Sequence, residues 1–280
     1  MREHAVPLSA PYGDVFDTCG TGGDRSGTFN ISSAAALVVA ACGVKVAKHG
    51  NRSVSSFCGS ADVFERLGVN IAAPPAVVER TLHEAGIAFF FAPTFHPAMK
   101  HAAQTRRELG IRTAFNLLGP LTNPAGARRQ LVGVPRPELT ELLARSLLML
   151  GSERAWVVHG ADGIDEISTT GHTKVSECRA GAVNTFYIHP ADFGVSKASP
   201  ADLRGGDAER NAGIVREILS GAKGAPRDVV LLNAGVALFV AERASDVREG
   251  IARAEEAVDT GAARATLDRM ARTSNSEAAG

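Results

Sequence analysis

The sequence carries no excess charge of either sign: 30 Lys and Arg balance 30 Asp and Glu over 280 residues. That removes the broad field with which a basic chain gathers nucleic acid or anionic membrane, so neither partner is expected. A local cationic pocket stays compatible with it. Cysteine is scarce as well. Cys19, Cys42, Cys58 and Cys178 form no CxxC pair to complete a zinc-ligand set, so a structural zinc site is not expected. The four thiols fit a reducing cytosol better than a disulfide framework, which predicts a cytoplasmic protein. Cys42, in an apolar helical run, reads as core filler. The opening MREHAVPLSAPYGD has no apolar stretch of the signal-peptide kind. The longest apolar run, Ala34 to Cys42, is far too short to span a bilayer. Internal repeats and low-complexity segments are also missing.

What is there is an alternation. Short apolar β-type runs at Val15–Asp17, Val44–Ala47, Ile87–Phe91, Leu131–Val134 and Ala155–His159 read as strands. Between and after them, Ser33–Gly43, Ser60–Leu67, Pro74–Ala85, Pro137–Leu150, Asp207–Leu219, Arg227–Ala241 and Ala244–Asp259 read as helices. Strands alternating with helices predict an α/β fold with a mainly parallel central sheet flanked by helices. From Pro97 to Leu118 two helical pieces follow each other with no strand between, which suits either a separate helical lobe or an insertion. Thr173–Ile188 alternates polar and apolar residues like a hairpin, and Gly205-Gly206 reads as a turn before a helix. The end after Arg272, TSNSEAAG, has no apolar anchor and is expected to fray.

Four stretches carry chemistry. In the first, Asp17-Thr18-Cys19-Gly20-Thr21-Gly22-Gly23-Asp24 leads to Thr28-Phe29-Asn30-Ile31-Ser32-Ser33. A strand runs into a glycine-rich loop that opens a helix capped by Ser32 or Ser33. Glycines let backbone N–H groups turn towards an anion, and the helix N-terminus adds positive potential. Arg25 stands where a dinucleotide fingerprint needs glycine, and Thr28 where a Walker A loop needs lysine. A Gly-rich turn without a ligand explains this loop about as well when it is taken alone. The second stretch, Lys48-His49-Gly50-Asn51-Arg52-Ser53, continues to Gly59-Ser60-Ala61-Asp62 and follows the second strand. It therefore shares the carboxyl edge of a parallel sheet, where ligands of open α/β sheets bind. Capping explains Ser60 and Asp62 by itself; Lys48, His49 and Asn51 together have no such plain reading. The third stretch is Asp162-Gly163-Ile164-Asp165-Glu166, a solvated acidic turn in isolation but a fit for Mg²⁺ beside two phosphate-type loops. The fourth, Arg106-Arg107-Glu108-Leu109-Gly110-Ile111-Arg112 through Asn123-Pro124, offers arginines able to fork onto a carboxylate. Surface arginines account equally for two of the three, and Asn116 and Asn123 equally suit cap and turn positions.

In this order and spacing, GTGGD…TFNIS, KHGNRSVSS…GSAD, RRELGIRTAFNLLGPLTNP, GADGIDEIS, DLRGGDAERNA and LLNAG resemble the anthranilate phosphoribosyltransferase family over nearly the whole chain. The resemblance implies transfer of a phosphoribosyl group from phosphoribosyl pyrophosphate to the amine of anthranilate, with Mg²⁺, in tryptophan biosynthesis. It implies that Gly20, Gly23, Asp24, Thr28, Asn30, Ile31, Ser32, Ser33, Lys48, His49, Gly50, Asn51 and Ser60 hold phosphoribosyl pyrophosphate. Gly20, Asn51 and Arg106 would surround anthranilate, with His49 nearby, and Ser32, Asp165 and Glu166 would hold the metal. No catalytic side chain is singled out, and neither a nucleophile nor a general base is evident. The implied fold joins the α/β domain (1–96 and 119–280) to a small helical domain, here residues 97–118, through which members commonly form homodimers. Members normally carry several helices before the first strand. This chain begins with MREHAVPL almost at that strand, so the helical domain is expected to be incomplete and its apolar surface exposed. Ser33 replaces a common threonine, and Cys58 and Gly235 fall where other small residues are usual. The nearest rivals are a pyrimidine nucleoside phosphorylase and a non-catalytic nucleic-acid-binding relative of the fold, the second disfavoured by the neutral charge.

Overall fold

A computed structural model describes residues 1–9, 14–53, 58–109 and 113–277, without the side chains of residues 103, 104, 106 and 107. The strands are β1 (Val15–Gly20), β2 (Lys45–Gly50), β3 (Ile87–Phe91), β4 (Arg129–Gly133), β5 (Arg154–Gly160), β6 (Thr173–Arg179) and β7 (Ala182–Ile188). The helices are α1 (Ile31–Ala41), α2 (Ser60–Arg66), α3 (Pro75–Ala85), α4 (Ala92–Phe95), α5 (Lys100–Leu109), α6 (Leu139–Met149), α7 (Ala208–Leu219), α8 (Ala225–Val240), α9 (Val247–Asp259) and α10 (Ala262–Ser274). The strands form one sheet in the order β3-β2-β1-β4-β5-β6-β7. β1 to β5 pair in parallel, and β6 and β7 extend the sheet antiparallel as the expected hairpin. Ala180 and Gly181, both at positive φ, make its two-residue turn.

Period-two burial distributes the core over the two faces of the sheet. Phe16, Val46, Leu131, Trp156 and Val158 face the layer of α1, α2 and α7 to α10. Val15, Ala47 and Ala88 face α3 on the opposite side, and Val132, Ala155 and Val157 face α6. α8 is buried almost all round because it lies between the sheet, α1 and α9. Where α8 meets α9, a Cβ on Gly235 would fall 2.5 Å from Ile251 Cγ1, and one on Gly250 would fall 2.3 Å from the Gly235 carbonyl oxygen. These two glycines set how closely the helices cross.

The chain order places β2 and β3 to one side of β1 and β4 and β5 to the other, so the sheet's switch point lies between β1 and β4. Several boundaries differ from expectation in a way that matters there. β1 runs on to Gly20 and β2 on to Gly50, so Thr18, Cys19, Lys48 and His49 belong to strands and are buried, not to loops. Pairing of Thr18 and Cys19 with β4, and of Lys48 and His49 with β3, carries the ladders past the apolar residues that made the runs visible. The expected frayed end is overturned between Thr273 and Glu277. α10 was not anticipated; it runs to Ser274, whose buried hydroxyl accepts the Asn70 N–H at 3.0 Å. Leu267 and Met270 anchor it to the core. Residues 278–280 lie outside the described residues. Pro97–Met99 and Ala114–Asn116 are single 3-10 turns flanking α5, and Leu109 and Phe115 are exposed beside it. Among the described residues, no helix is long and apolar enough to cross a membrane.

Candidate active site

A cleft of about 890 Å³ opens at the carboxyl ends of β1, β2 and β4. Its first wall is the loop from Thr21 to Asn30. Gly22, Gly23 and Gly27 have φ of 63°, 82° and 69°, which a side chain would strain. Gly20 and Gly133 are register partners on β1 and β4, and they serve a different purpose. A Cβ on Gly20 would fall 2.6 Å from Asp165 Oδ2, and one on Gly133 would fall 1.5 Å from the Asp165 carbonyl oxygen. Two bare backbones at the switch point therefore make room for Asp165, which accepts the Gly22 N–H at 3.1 Å.

The start of α1 corrects the capping expectation. Ser32 and Ser33 lie inside the first turn, Asn30 is the N-cap residue, and its side chain makes no capping bond. The free N–H of Ser32 donates instead to Glu166 Oε1 at 3.1 Å, so the acidic loop after β5 closes the helix end. Lys48 is 2% exposed. Its ammonium donates to the Thr18 carbonyl and, at 3.3 Å, to Ser32 Oγ, so it lies behind the loop and supplies positive potential through it. Asp165 and Glu166 form the floor. Burial, then the proximity of Asp24, pushes the Asp165 carboxyl well above the usual range. Burial, then Asp165 itself, pushes Glu166 up, with Lys48 only partly opposing. These carboxylates are thus held together with too little local positive charge.

Asn51, Gly59 and Ser60 make the rim opposite. Ser60 opens α2, and Asp62 accepts the Gly59 N–H at 2.9 Å, so the capping reading of Asp62 holds. Gly50 is bare for contact: a Cβ there would fall 2.2 Å from Ser60 Oγ. Ile31 sits differently from its neighbours. Its side chain is in the core and its N–H already donates to the Phe29 carbonyl at 2.8 Å. Thr28 bridges to Arg204, and Ser26 Oγ donates to Asp24 Oδ2 at 2.5 Å, which stiffens the loop.

The far wall is less polar. Pro93, Pro97, Met99, Phe115 and Pro120 line it, together with His49 and His96, whose rings meet edge-on at 5.2 Å. His49 Nδ1 lies 3.2 Å from the Gly119 carbonyl. Burial, then His96, lowers the His49 pKa to about 3, so the ring is neutral near pH 7. The backbone of Arg106 lies in α5; its side chain lies outside the described residues, as do residues 110–112 of the same stretch.

Three contributors lie in the quoted motifs but carry no site role in the sequence reading. Asp17, fully buried, accepts the His49 N–H at 3.2 Å and an Asn123 Nδ2–H at 2.8 Å, so it ties β1 to β2 and to the Gly119–Asn123 segment. A charged residue inside an apolar strand was the available signal. Asn123 does form the expected turn, taking the Ala125 N–H at 2.9 Å, but it also holds Asp17. Asn211, from the DLRGGDAERNA segment, reaches the cleft from α7. Cys19 also lines it, but burial and then Asp17 raise the thiol pKa well above the ordinary value, so it is no thiolate nucleophile.

Residues 12–264 match the model of the "Glycosyl transferase family, a/b domain". The chain is 57% identical over 270 residues to an anthranilate phosphoribosyltransferase of Moorella thermoacetica, covering 96% of this chain and 80% of the relative. Among solved structures it resembles the Thermus thermophilus anthranilate phosphoribosyltransferase, with a TM-score of 0.92 and 44% identity over 99% of this chain and 82% of that one. It also resembles the Saccharomyces cerevisiae enzyme in complex with PRPP and Mg, with a TM-score of 0.89 and 30% identity over 98% of this chain and 77% of that one. Motif order, sheet topology and likeness over almost the full length agree, and the chain belongs to the anthranilate phosphoribosyltransferase family.

Proposed function

We propose that the chain transfers the phosphoribosyl group of phosphoribosyl pyrophosphate to the amine of anthranilate, giving N-(5-phosphoribosyl)anthranilate and pyrophosphate for tryptophan biosynthesis. The observation that carries this reading is one cleft with an anion-type half and an apolar half, floored by carboxylates that Lys48 only partly neutralises. The relative solved with PRPP and Mg has the same fold and supports both as ligands here. The donor set fits Mg²⁺: Asp165, Glu166 and the Ser32 hydroxyl are all oxygen ligands. When bound, Mg²⁺ supplies positive charge to a phosphorylated ligand and its leaving group.

The chain's own residues do the rest. Breaking the bond at the anomeric carbon builds positive charge on the ribose and negative charge on pyrophosphate. The Gly20–Asp24 backbone, Thr28, Asn30, Ser32 and Ser33 present N–H and hydroxyl donors to the pyrophosphate and phosphate groups. Lys48 adds a fixed positive potential behind them. His49, Gly50, Asn51 and Ser60 complete the opposite rim. Ile31 contributes by holding the start of α1. Arg106 takes the anthranilate carboxylate, and Gly20 and Asn51 face its ring and amine, so that the amine is aimed at the anomeric carbon. Catalysis then comes from positioning and electrostatics, with no covalent intermediate. We assign residues 97–118 to the small helical domain, the enzyme to the cytoplasm, and the dimer contact to that domain when it is complete.

The loss of anthranilate fluorescence, followed with phosphoribosyl pyrophosphate at graded Mg²⁺, tests the reading. Consumption that requires both is expected. A folded chain that consumes none, or that instead phosphorolyses thymidine, would overturn it.

A further inference from the structure

Asn30 occupies the N-cap of α1, a position where an asparagine side chain ordinarily accepts a helix N–H. Here it does not, because both ends of its amide are engaged elsewhere. Asn30 Oδ1 accepts from Asn211 Nδ2 at 3.0 Å, and Asn30 Nδ2 donates to the Cys58 carbonyl at 3.4 Å. Asn211 is 2% exposed, and its Oδ1 accepts the Gly206 N–H at 2.8 Å. The two backbone ends of this chain of amides leave one arrangement. The Gly206 N–H can only donate, so it faces Asn211 Oδ1; Asn211 Nδ2 then faces an acceptor, Asn30 Oδ1; and Asn30 Nδ2 is left towards Cys58 and the cleft. The Cys58 carbonyl, which can only accept, requires the same orientation independently.

The surrounding backbone is shaped around this relay. A Cβ on Gly205 would fall 2.6 Å from Asn211 Oδ1 and 2.7 Å from the Phe29 nitrogen. The Gly205 N–H donates to the Gly27 carbonyl at 2.9 Å, and Arg204 bridges to Thr28, so the segment before α7 lies against the back of the glycine loop. Asp207 caps α7, accepting the Arg210 N–H at 2.9 Å, and leaves Asn211 free to point at Asn30.

We propose that Asn211 is a positioning residue for phosphoribosyl pyrophosphate: it fixes the Asn30 amide so that the NH₂ group, and not the carbonyl oxygen, is offered to the bound anion. The inference rests on the function proposed above. It converts the DLRGGDAERNA segment from a structural motif into the support of the anion loop. An Asn30 amide turned the other way would place a partial negative charge against a phosphate oxygen.

The test is calorimetric binding of phosphoribosyl pyrophosphate with Mg²⁺ to the full chain, and to Asn30→Ala, Asn211→Ala and the double variant. Anthranilate KM is followed alongside. Asn211→Ala is expected to weaken phosphoribosyl pyrophosphate by about tenfold, the scale of one hydrogen bond, while anthranilate KM stays put. The double variant is expected to bind no more weakly than Asn30→Ala alone, because the second residue acts through the first. Should Asn211→Ala fail to fold, Asn211→Asp still accepts the Gly206 N–H but cannot donate to Asn30, and the same loss is expected. Losses that add in the double variant, or that fall equally on both substrates, overturn the proposal. If the unmodified chain binds phosphoribosyl pyrophosphate but turns nothing over, the function fails and the positioning role is still decided. If it binds none, both fall.

Discussion

Buried charge is handled in opposite ways in two parts of this molecule. In the helical layer, the Arg227 side chain is 1% exposed and reaches Asp259 at 2.5 Å and Glu255 at 3.2 Å. Its partners stand at the protein surface, Lys223 reaches the same Glu255 and Asp259 carboxylates at 3.6 and 3.3 Å so that the charges balance, and the arginine holds the Asp259 carboxyl below the usual range. In the cleft, Asp165 and Glu166 sit beside Asp24 with Lys48 as counter-charge, and both carboxyls are pushed up, away from ionisation. The first arrangement is complete within the chain. The second is short of positive charge within the chain, and that is where the proposed function puts Mg²⁺. Glycine shows the same division. Gly235 and Gly250 let two helices touch, whereas Gly20 and Gly133 let a carboxylate stand at the switch point.

The largest expected break of this contrast comes from replacing the cleft acids. Asp165→Asn with Glu166→Gln keeps shape and removes the charge to which the metal is assigned. Turnover in the fluorescence assay should fall at least about a hundredfold. Because the lost charges repel, melting without Mg²⁺ should rise or stay level. A folded double variant with normal Mg²⁺-dependent turnover would remove the metal from these residues.

One small change made in both regions should sharpen the comparison. Gly235→Ala forces a methyl to within 2.7 Å of the Ile251 nitrogen, so the helix crossing must open. Overpacking of that kind costs about 1–3 kcal/mol and should lower the melting temperature by several degrees, with substrate KM values unchanged. Gly20→Ala meets only the end of the Asp165 side chain, which can turn away. It should leave melting nearly as it was and cut kcat/KM by roughly 10–100-fold, as displaced metal ligands do. If the two variants exchanged these outcomes, the assignment of one region to stability and the other to function would be reversed.

The sequence made the architecture readable because its signals are local. Apolar runs at Ile87–Phe91 and Ala155–His159 lie within β3 and β5, and capped segments such as Asp207–Leu219 became helices. It made the glycine loop and the acidic pair readable because their chemistry needs unusual residues at short spacing. Lys48 and His49 were placed just past a strand because polarity, seen one residue at a time, says loop; ladder bonds to β3 and burial under the cleft made them strand. α10 escapes a sequence reading because its apolar residues are sparse and its polar anchors are distant: Asn70, which bonds Ser274, lies 204 positions away, and Arg80, which holds Ser276 just past the helix, lies 196 away. The Asn30–Asn211 contact was invisible for the same reason, spanning 181 positions. Long-range polar pairs leave no periodicity for a sequence reading to find.

The smallest effect expected is also the one in which the two regions should part by sign. Asp259 has a lowered folded pKa, so its contribution is present above the ordinary carboxylate range and is lost as pH falls through the lowered value. Asp165 and Glu166 have raised folded pKa values. Their contribution is present below the ordinary carboxylate range and is lost as pH rises through the raised values. The unliganded protein should therefore lose a few degrees of melting temperature on the more alkaline side, as pH rises from the ordinary carboxylate range to about 8, because of the cleft, and on the acid side, below that range, partly because of the helical layer. Mg²⁺ should reverse only the alkaline loss, since it binds the deprotonated carboxylates, and its stabilisation should grow with pH. Melting curves across pH, with and without Mg²⁺, would show this. Asp165→Asn with Glu166→Gln should erase the alkaline slope and its Mg²⁺ response, and Arg227→Met should flatten the acid slope alone. A Mg²⁺ stabilisation independent of pH would mean that the carboxylates are already ionised in the free protein, and the cleft would then be no less balanced than the helices.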